Sequence, residues 1–456
     1  MNYNIFALIT GLAYCLIMTL ICFSAVKRSS FGYLIIFCEY FYILGLGPYL
    51  VASSLGLLDV SPILENYELA VAGLSKITFL HIFLYGLGSL FGYFSFRSIS
   101  KNLSRKLITL AARCSFSNET WFYCSAISSI ALSLLYLVLV GVDTALLNAS
   151  AARGGDFSGL EGFQQYSFIK TIAQLGVFSV ISLPFIITKN KHLPLSFLII
   201  TIMAAFLYMQ SVARVVFLDT VFLFVMFYLT LTNKNKSAIA LAAFTGAFLL
   251  FVVVYGKEFV GVFSAFLFTD GELAFTTKYD SLISYLFSQF GHLAYTIDAG
   301  IRNFMRHGPI IPTDILLSPV GFLPSSVFSA LGIPGLSYQL VEDTQRLSCI
   351  NTVYFLEAEK CSMPPYITGF SAYMFPVFGG FLFGFFRFFI FGILESAWIL
   401  LRNNPEHLWI VIASLLVLTR FMLIIAPSIS FAMFAVFTIA VFIISRKFVV
   451  RFSFKL

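Results

Sequence analysis

The sequence predicts an all-α, polytopic integral membrane protein with about eleven transmembrane helices and one large, mostly helical extracytoplasmic loop. Only 11% of the 456 residues are charged, 59% are hydrophobic, and the apolar residues gather in runs long enough to cross a bilayer. Soluble domains carry roughly 25% charged residues, because their surface must be polar. The composition therefore argues against a soluble enzyme, a disordered protein and a nucleic-acid-binding protein, in spite of a net charge of +7.

The apolar runs give the predicted transmembrane helices. A spanning helix needs about 20 mostly apolar residues, since each residue rises about 1.5 Å through a hydrocarbon core about 30 Å thick. The first run is too long for a signal-peptide core and is predicted to be a retained helix. The predicted spans are residues 5–26, 31–55, 77–96, 121–142, 168–187, 193–209, 215–231, 238–255, 366–387, 408–426 and 429–445.

The basic residues predict the orientation of these spans, because Lys and Arg in short loops are retained in the cytoplasm. In the eleven-span arrangement, alternate connections and the C-terminal tail hold 17 of the 28 basic residues. That count assigns Arg387 and Arg402 to the cytoplasmic connection after the ninth span. The N-terminus is thus predicted to be periplasmic and the C-terminus cytoplasmic.

The spans divide the chain into three parts. Residues 1–256 form an N-terminal bundle of about eight spans, 257–365 a large periplasmic loop or cap, and 366–456 about three further spans with a basic cytoplasmic tail. The loop holds 10 of the 21 acidic residues. Within it, segments 282–290 and 293–304 mix apolar and polar residues, which predicts helices lying on the bundle or on the lipid surface. A functional site is expected in this cap.

Two cysteines of the large loop, Cys349 and Cys361, are the only pair there. An oxidising exterior would permit a disulfide between them, and the sequence leaves open whether it forms. A structural zinc site needs four clustered ligands, and no histidine lies near this pair. The sequence therefore predicts no metal at these cysteines.

Placing an ionisable side chain inside a membrane span costs free energy, so we first interpret such a residue as functional. Arg420 lies within the tenth span, and Arg214 lies at the outer mouth of the seventh, with Asp219 deeper in the same span. Anchoring at the membrane interface is the alternative for both arginines. Glu39, in the second span, is interpreted as a packed structural carboxylate.

Two further arginines belong to predicted outer segments. Arg153 is followed by Gly154 and Gly155, which let the backbone approach a ligand closely, although a solvated glycine-rich turn is the alternative. Arg302 lies in the large loop. Because a planar guanidinium binds phosphate through two hydrogen bonds, arginines at the outer face of a bilayer suggest an anionic, lipid-linked substrate.

His292, in the large loop, is a candidate general base, since a neutral imidazole can accept a proton from an attacking hydroxyl. A histidine that is merely hydrogen-bonded is the alternative. The acidic pairs Asp270 with Glu272 and Glu342 with Asp343 could hold a divalent cation, but carboxylates this close in sequence occur readily by chance in an acidic loop. No nucleotide-binding motif is present. The sequence therefore predicts no metal and no cofactor.

Residues 364–384 read PPYITGFSAYMFPVFGGFLFG. This segment resembles the Pro-Pro, Gly, Tyr, Gly-x-x-Gly-like signature of the oligosaccharide repeat-unit polymerases, the O-antigen polymerase (Wzy) family. The order of parts is also similar: many spans, an Arg-Gly loop in mid-chain, an arginine at a span mouth, and a large late periplasmic loop. The sequence departs from the family at residues 370–372, where no acidic residue is present. It also departs at Arg153, because the glycine closest to the required spacing, Gly162, comes too early for an Arg-x10-Gly motif.

This resemblance implies a glycosyltransferase of the bacterial inner membrane that joins undecaprenyl-pyrophosphate-linked oligosaccharide units into O-antigen or capsule. A hydroxyl of the incoming unit attacks the anomeric carbon of the growing chain, and lipid pyrophosphate leaves. The implied partners are this substrate, membrane lipids and a polysaccharide chain-length regulator, with no nucleic acid and no cofactor. The implied site comprises His292, Arg214 and Arg420 as catalytic groups, Arg153 and Arg302 at the pyrophosphate, and Tyr295, Tyr366 and Tyr373 against sugar faces.

Three other functions compete with this one. An O-antigen ligase has a similar architecture and transfers the finished glycan to a lipid acceptor. A flippase or transporter is disfavoured by the acidic cap and by the scarcity of charges in the middle of spans. A metal-dependent lipid-sugar transferase would need closely spaced early carboxylates, but the first outer loop has only Asp59, Glu65 and Glu68, without tight spacing.

Overall fold

The computed structural model describes residues 3–57, 74–112, 118–141, 282–310 and 366–401, with a few isolated residues elsewhere. Within these five ranges all regular structure is helical. The helices are α1 (Tyr3–Arg28), α2 (Phe31–Gly45), α3 (Gly47–Ser54), α4 (Lys76–Ala112), α5 (Asn118–Val140), α6 (Leu282–His307), α7 (Tyr366–Met374) and α8 (Gly379–Leu401).

Three helices of the described part are long and apolar enough to cross a membrane: Asn4–Arg28, Lys76–Ser95 and Gly379–Leu400. Large apolar side chains along α1, such as Leu16 and Phe23, are exposed, as expected of a surface in contact with lipid. The described part is therefore all helical, and its three candidate spans are consistent with the predicted all-α membrane class. The predicted spans within 168–255 and 408–445 lie, apart from isolated positions, outside the described residues.

The predicted second span, residues 31–55, is two helices rather than one. After the turn at Ser29 and Ser30, α2 runs back along α1 and ends at Gly45, and α3 begins at Gly47. Pro48 lies at the start of α3, where its missing N–H costs nothing, but it could not continue the hydrogen bonds of α2. The helix of the predicted span is thus interrupted at Leu46, since these breaking residues lie within an apolar run.

Glycines bring α4 and α8 into close contact. A Cβ atom at Gly88 would overlap the carbonyl of Phe381, and one at Gly384 would overlap the carbonyl of Tyr85. Gly92 and Gly380 are equally confined, against the carbonyls of Phe385 and His81. Both helices thus use a Gly-x-x-x-Gly pattern, which lets the backbones of membrane helices approach.

The order of contacts shows that α1, α4 and α8 are parallel. Residues 81, 85 and 92 of α4 meet residues 380, 384 and 385 of α8. Along α1, Phe6 lies beside Lys76 and Tyr14 beside Gly86. Parallel alignment is what the predicted arrangement requires, since these are its first, third and ninth spans. Which end faces the cytoplasm stays a prediction.

In the cap, the predicted amphipathic segments 282–290 and 293–304 form one continuous helix, α6. Its buried face includes Leu293, Ile297 and Ile301, whereas Met305 is exposed. Gly291 lies against the ring of Tyr49, so α6 reaches the α2–α3 region directly. This part of the predicted cap therefore packs on the bundle.

The predicted ninth span, residues 366–387, is broken as well. The helix α7 ends at Met374, and α8 begins at Gly379 after a turn that contains Pro376. The helix that is long and apolar enough to span a membrane is Gly379–Leu400, so it begins 13 residues later than predicted. In consequence Arg387 lies well inside a spanning helix.

Candidate functional site

One face of α4 carries a row of buried polar side chains. Thr78, His81, Tyr85, Ser89 and Tyr93 are spaced three or four residues apart, so they share one side of the helix. All five are fully buried. We call this row the α4 polar face. Because unpaired polar groups are costly at membrane depth, the partners of these side chains define the candidate site.

The centre of the α4 polar face meets a buried ion pair. Arg387 of α8 donates through Nε to Oε1 of Glu39 at 2.8 Å, and its Nη2 lies 2.6 Å from the same oxygen. Both side chains are fully buried. Either charge alone would be strongly unfavourable here, so each requires the other.

Tyrosines from three helices surround the arginine. The guanidinium carbon of Arg387 lies 4.2 Å from the ring centroid of Tyr42, a cation–π contact, and Nη1 donates to the hydroxyl of Tyr85 at 3.3 Å. The ring of Tyr14 stacks on that of Tyr85 with centroids 6.5 Å apart. Within the described residues, Oε2 of Glu39 and the hydroxyl of Tyr14 have no hydrogen-bond partner. The cluster therefore has unused hydrogen-bonding capacity.

The position of Arg387 corrects the count of cytoplasmic basic residues, which placed it in a loop after the ninth span. The structure places it inside α8, paired with Glu39. Two features of the sequence could have indicated that Arg387 lies inside a helix and pairs with an acid. Pro376 with Gly379 and Gly380 marks the break that delays the span, and a lone acid at position 39 of an apolar run predicts a basic partner.

His81 connects the α4 polar face to the break between α7 and α8. Its Nδ1 lies 2.7 Å from the carbonyl oxygen of Pro376, and its Nε2 lies 2.9 Å from Oγ of Ser371. The hydroxyl of Ser371 also donates to the carbonyl of Thr368 at 2.7 Å. A carbonyl can only accept, so Nδ1 carries a proton and the ring holds the turn in place.

Asp298 of α6 connects the cap to the first turn of α4. Its Oδ1 accepts from the backbone N–H of Ser75 at 2.8 Å and from the hydroxyl of Thr78 at 2.7 Å. Its Oδ2 lies 2.6 Å from Nε of Arg302. A carboxylate at a helix N-terminus satisfies free N–H groups and interacts favourably with the helix dipole.

Replacing this carboxylate is expected to loosen the cap. Asp298→Ala removes two hydrogen bonds at the start of α4, so we expect a loss of about 2 kcal/mol of stability and a lower unfolding temperature in detergent. Asp298→Asn keeps an acceptor oxygen and should lose less. An unfolding temperature of Asp298→Ala equal to that of the wild type would contradict this role.

The opposite end of the α4 polar face meets a second buried acid, Glu395 of α8. Its Oε2 accepts from the hydroxyl of Tyr93 at 3.0 Å and lies 3.4 Å from Nη1 of Arg28, and its Oε1 accepts from Ser29 at 2.8 Å. The turn between α1 and α2 is thereby fixed to α4 and α8.

Of the predicted site residues, Arg153, Arg214 and Arg420 lie outside the described residues, as do Cys349 and Cys361. Arg302 is bound to Asp298, with 38% of its side chain exposed. His292 is partly exposed on α6, and burial of its ring lowers its pKa to about 4. The imidazole is therefore neutral near pH 7 and can accept a proton, but the lowered pKa also makes it a weaker base than an ordinary histidine.

The predicted tyrosines have different surroundings. Tyr295 and Tyr373 are buried within helix packing, and the hydroxyl of Tyr49 donates to that of Tyr295 at 2.7 Å. Tyr366, at the start of α7, has a φ of 53°, which is uncommon for a residue other than glycine and stores strain. The neighbouring N–H of Ile367 donates to the hydroxyl of Tyr42 at 3.4 Å. Stacking on sugars stays a prediction for all three.

Comparison with known proteins adds no relative. No family model matches the chain, and neither the curated proteins nor the solved structures show a detectable similarity to it. Nor does the described part bring together three side chains that could hold a metal ion. The polymerase resemblance therefore rests on residues 364–384 and on the order of parts along the chain.

Proposed function

We propose that the protein is a polymerase that joins undecaprenyl-pyrophosphate-linked oligosaccharide units into a surface polysaccharide at the periplasmic face of the inner membrane. One observation carries this proposal. The described part of the segment that resembles the polymerase signature, residues 366–384, forms α7, the following turn and the start of α8, where the cap helix α6 meets the bundle.

The glycines of this segment support the proposal because each lies at a close approach. Gly369 lies against Thr296 of α6, and Gly300 of α6 lies against Ala372 and the backbone of Tyr373. On the bundle side, Gly384 lies against Tyr85. A signature of this kind holds the cap on the bundle, so reacting groups carried by the cap keep a fixed position relative to the membrane.

The proposed reaction forms one glycosidic bond and breaks one sugar–phosphate bond. The hydroxyl of the incoming unit attacks the anomeric carbon of the growing chain, and His292 accepts its proton. The anomeric carbon–oxygen bond to phosphate breaks, and the lipid pyrophosphate leaves with the electron pair. Arg153, Arg214 and Arg420 neutralise its charge, with Arg302 at the cap.

Reconstitution with a synthetic lipid-pyrophosphate repeat unit tests the arginine mechanism. We expect chain growth to continue in EDTA, and we expect Arg214→Ala to abolish elongation while the protein inserts normally. Lys234→Ala, which removes a basic residue of a predicted cytoplasmic loop, is the control and should elongate like the wild type. Strict dependence on an added divalent cation, or wild-type chain length in Arg214→Ala, would contradict the mechanism.

Deletion of the gene in the native cell separates the polymerase from the ligase. A polymerase deletion should leave lipopolysaccharide that carries a single repeat unit. Loss of every glycan-capped product would favour the ligase instead. This comparison needs no purified protein and no assumption about the catalytic residues.

A transporter is the second candidate, and one observation favours it. The sequence disfavoured transport because few charges lie in the middle of spans, but Glu39 and Arg387 are buried in the middle of the described bundle. Intramembrane charge pairs commonly mark the path of a transported species. Movement of a labelled lipid-linked oligosaccharide across vesicles, without any increase in glycan length, would support transport over polymerisation.

A further inference from the structure

The α4 polar face connects acidic groups through most of the thickness of the bundle. Thr78 is bonded to Asp298 at one end, Tyr85 is bonded to the Glu39–Arg387 pair in the middle, and Tyr93 is bonded to Glu395 at the other end. From Thr78 to Tyr93 the helix rises about 22 Å, which compares with a hydrocarbon core of about 30 Å.

Both ends of this row reach partly exposed side chains. Asp298 is paired with Arg302, whose side chain is 38% exposed, and Glu395 is paired with Arg28, whose side chain is 27% exposed. Everything between them on the α4 polar face is fully buried. The polar groups therefore lead from one solvent-accessible end of the described bundle to the other.

Neighbouring groups on the α4 polar face are about one helical turn, roughly 5 Å, apart, which is too far for direct hydrogen bonds between all of them. Three other buried polar atoms lie along the row: Oγ1 of Thr368, Oε2 of Glu39 and the hydroxyl of Tyr14. None has a hydrogen-bond partner in the described ranges. Buried polar atoms are normally satisfied, if not by protein then by water.

Interhelical bonding alone accounts for only part of this arrangement. Asp298 and Glu395 each meet hydrogen-bond donors and an arginine, as expected of groups that hold membrane helices together. Glu39 differs, because Arg387 uses only one of its two carboxylate oxygens. A second carboxylate oxygen that has no partner among the described residues, at the centre of a polar row, can accept a proton.

We propose that the α4 polar face and its partners form a proton pathway through the bundle, with Glu39 as the group that takes up and releases the proton. A proton enters from water at one end, passes through hydroxyl groups, His81 and bridging waters, and binds Oε2 of Glu39. It then leaves toward the other end, so one proton enters and one is released. The driving force is the membrane potential or the pH difference.

The charged and titratable groups around Glu39 come from four helices. Arg387 of α8 holds one oxygen, and Tyr85 of α4 shares the same arginine. Tyr14 and Cys22 of α1 lie within electrostatic range of the carboxylate, and Tyr42 of α2 covers the guanidinium. The guanidinium of Arg387 attracts the ionised carboxylate, so protonation of Glu39 weakens the ion pair and release of the proton restores it.

Proton flux into vesicles tests the pathway without any glycan substrate. The full-length protein is reconstituted in vesicles of phosphatidylcholine and phosphatidylglycerol that contain pyranine, and a potassium gradient with valinomycin sets an inside-negative potential. We expect internal acidification faster than in protein-free vesicles. Glu39→Gln should reduce the rate to that of protein-free vesicles.

Tyr14→Phe keeps the test valid if Glu39→Gln disturbs folding. It removes a hydroxyl that has no partner among the described residues, so the unfolding temperature should not fall. The flux should fall about fivefold, the factor that corresponds to the roughly 1 kcal/mol of one hydrogen bond to a bridging water. Ser133→Ala is the matched control, because it removes another buried, unpartnered hydroxyl from α5, away from the α4 polar face.

Two results would overturn the proton pathway. One is a wild-type flux equal to that of protein-free vesicles. The other is a wild-type flux that Tyr14→Phe leaves unchanged in correctly folded protein. Since no glycan is present, neither result bears on the proposed polymerase, and failure of glycan elongation would leave the flux measurement intact.

Discussion

Arg387→Ala is expected to prevent accumulation of stably folded protein, whereas the double replacement of Arg387 by Met and Glu39 by Leu is expected to restore it. The single change leaves the buried Glu39 carboxylate without its cation. Breaking a buried ion pair in this way costs about 3–5 kcal/mol, against a total stability of about 5–15 kcal/mol for a typical protein. The double change removes both charges and fills the space with apolar atoms.

Size-exclusion chromatography and the unfolding temperature in detergent measure this effect. Arg302→Ala is the matched control, since Arg302 also pairs with a buried acid but its side chain is 38% exposed. Its loss should have a much smaller effect, because Asp298 keeps the hydrogen bonds from Ser75 and Thr78. Normal elution and wild-type stability of Arg387→Ala would show that Arg387 is not buried against Glu39.

Gly88→Ala is expected to destabilise the contact between α4 and α8 severely. A methyl group there would overlap the backbone carbonyl of Phe381, and backbone atoms cannot move aside as a side chain can. Overpacking of this kind costs about 1–3 kcal/mol or more, which exceeds the gain of about 1 kcal/mol when alanine replaces glycine in a helix. Partners of the α4 polar face on α8, such as Arg387 and Glu395, would be displaced as well.

The control for this change lies two residues earlier on the same helix. A Cβ atom at Gly86 would meet only side-chain atoms of Tyr14 and Ile17, the nearest at 3.1 Å. Gly86→Ala should therefore change the unfolding temperature little, because the helix-propensity gain offsets a small adjustment of those side chains. Equal unfolding temperatures for Gly86→Ala and Gly88→Ala would rule out the proposed backbone contact.

The class of the protein could be predicted from the sequence, because hydropathy directly reflects the cost of placing a segment in lipid. The first predicted span, 5–26, lies within α1, and the amphipathic pattern of the loop predicted helical structure where α6 lies. The breaks at Pro48 and Pro376 were missed for the same physical reason. Both prolines lie among apolar residues, so the mean hydropathy does not fall where the hydrogen bonds are interrupted.

The buried Glu39–Arg387 site was harder to predict from the sequence than the class of the protein. Glu39 was correctly interpreted as packed, but its partner Arg387 is 348 residues away and was assigned to a loop. No local sequence pattern can predict a pairing between two residues so far apart along the chain. The Gly-x-x-x-Gly patterns at 88–92 and 380–384 were visible, however, and together they predict a close helix pair. Such a pair would have placed Arg387 beside α4.

The structure gives the polymerase-like segment two distinct tasks. Through Gly369 it contacts the cap helix, and through Gly380 and Gly384 it contacts α4. A segment that must approach two helices closely needs small residues at fixed positions, whichever substrate the protein uses. The resemblance in residues 364–384 can therefore also reflect the way the cap is held on the bundle. The glycosyl-transfer reaction must be tested with the substrate itself.

The number of repeat units on each lipid carrier tests the proposed function most directly. Purified wild-type protein in vesicles is incubated with a lipid-pyrophosphate donor that carries one repeat unit, and the products are measured by mass spectrometry. We expect a ladder of products with increasing numbers of units and release of lipid pyrophosphate. A distribution that stays at one unit, with protein that is monodisperse and folded, would contradict it.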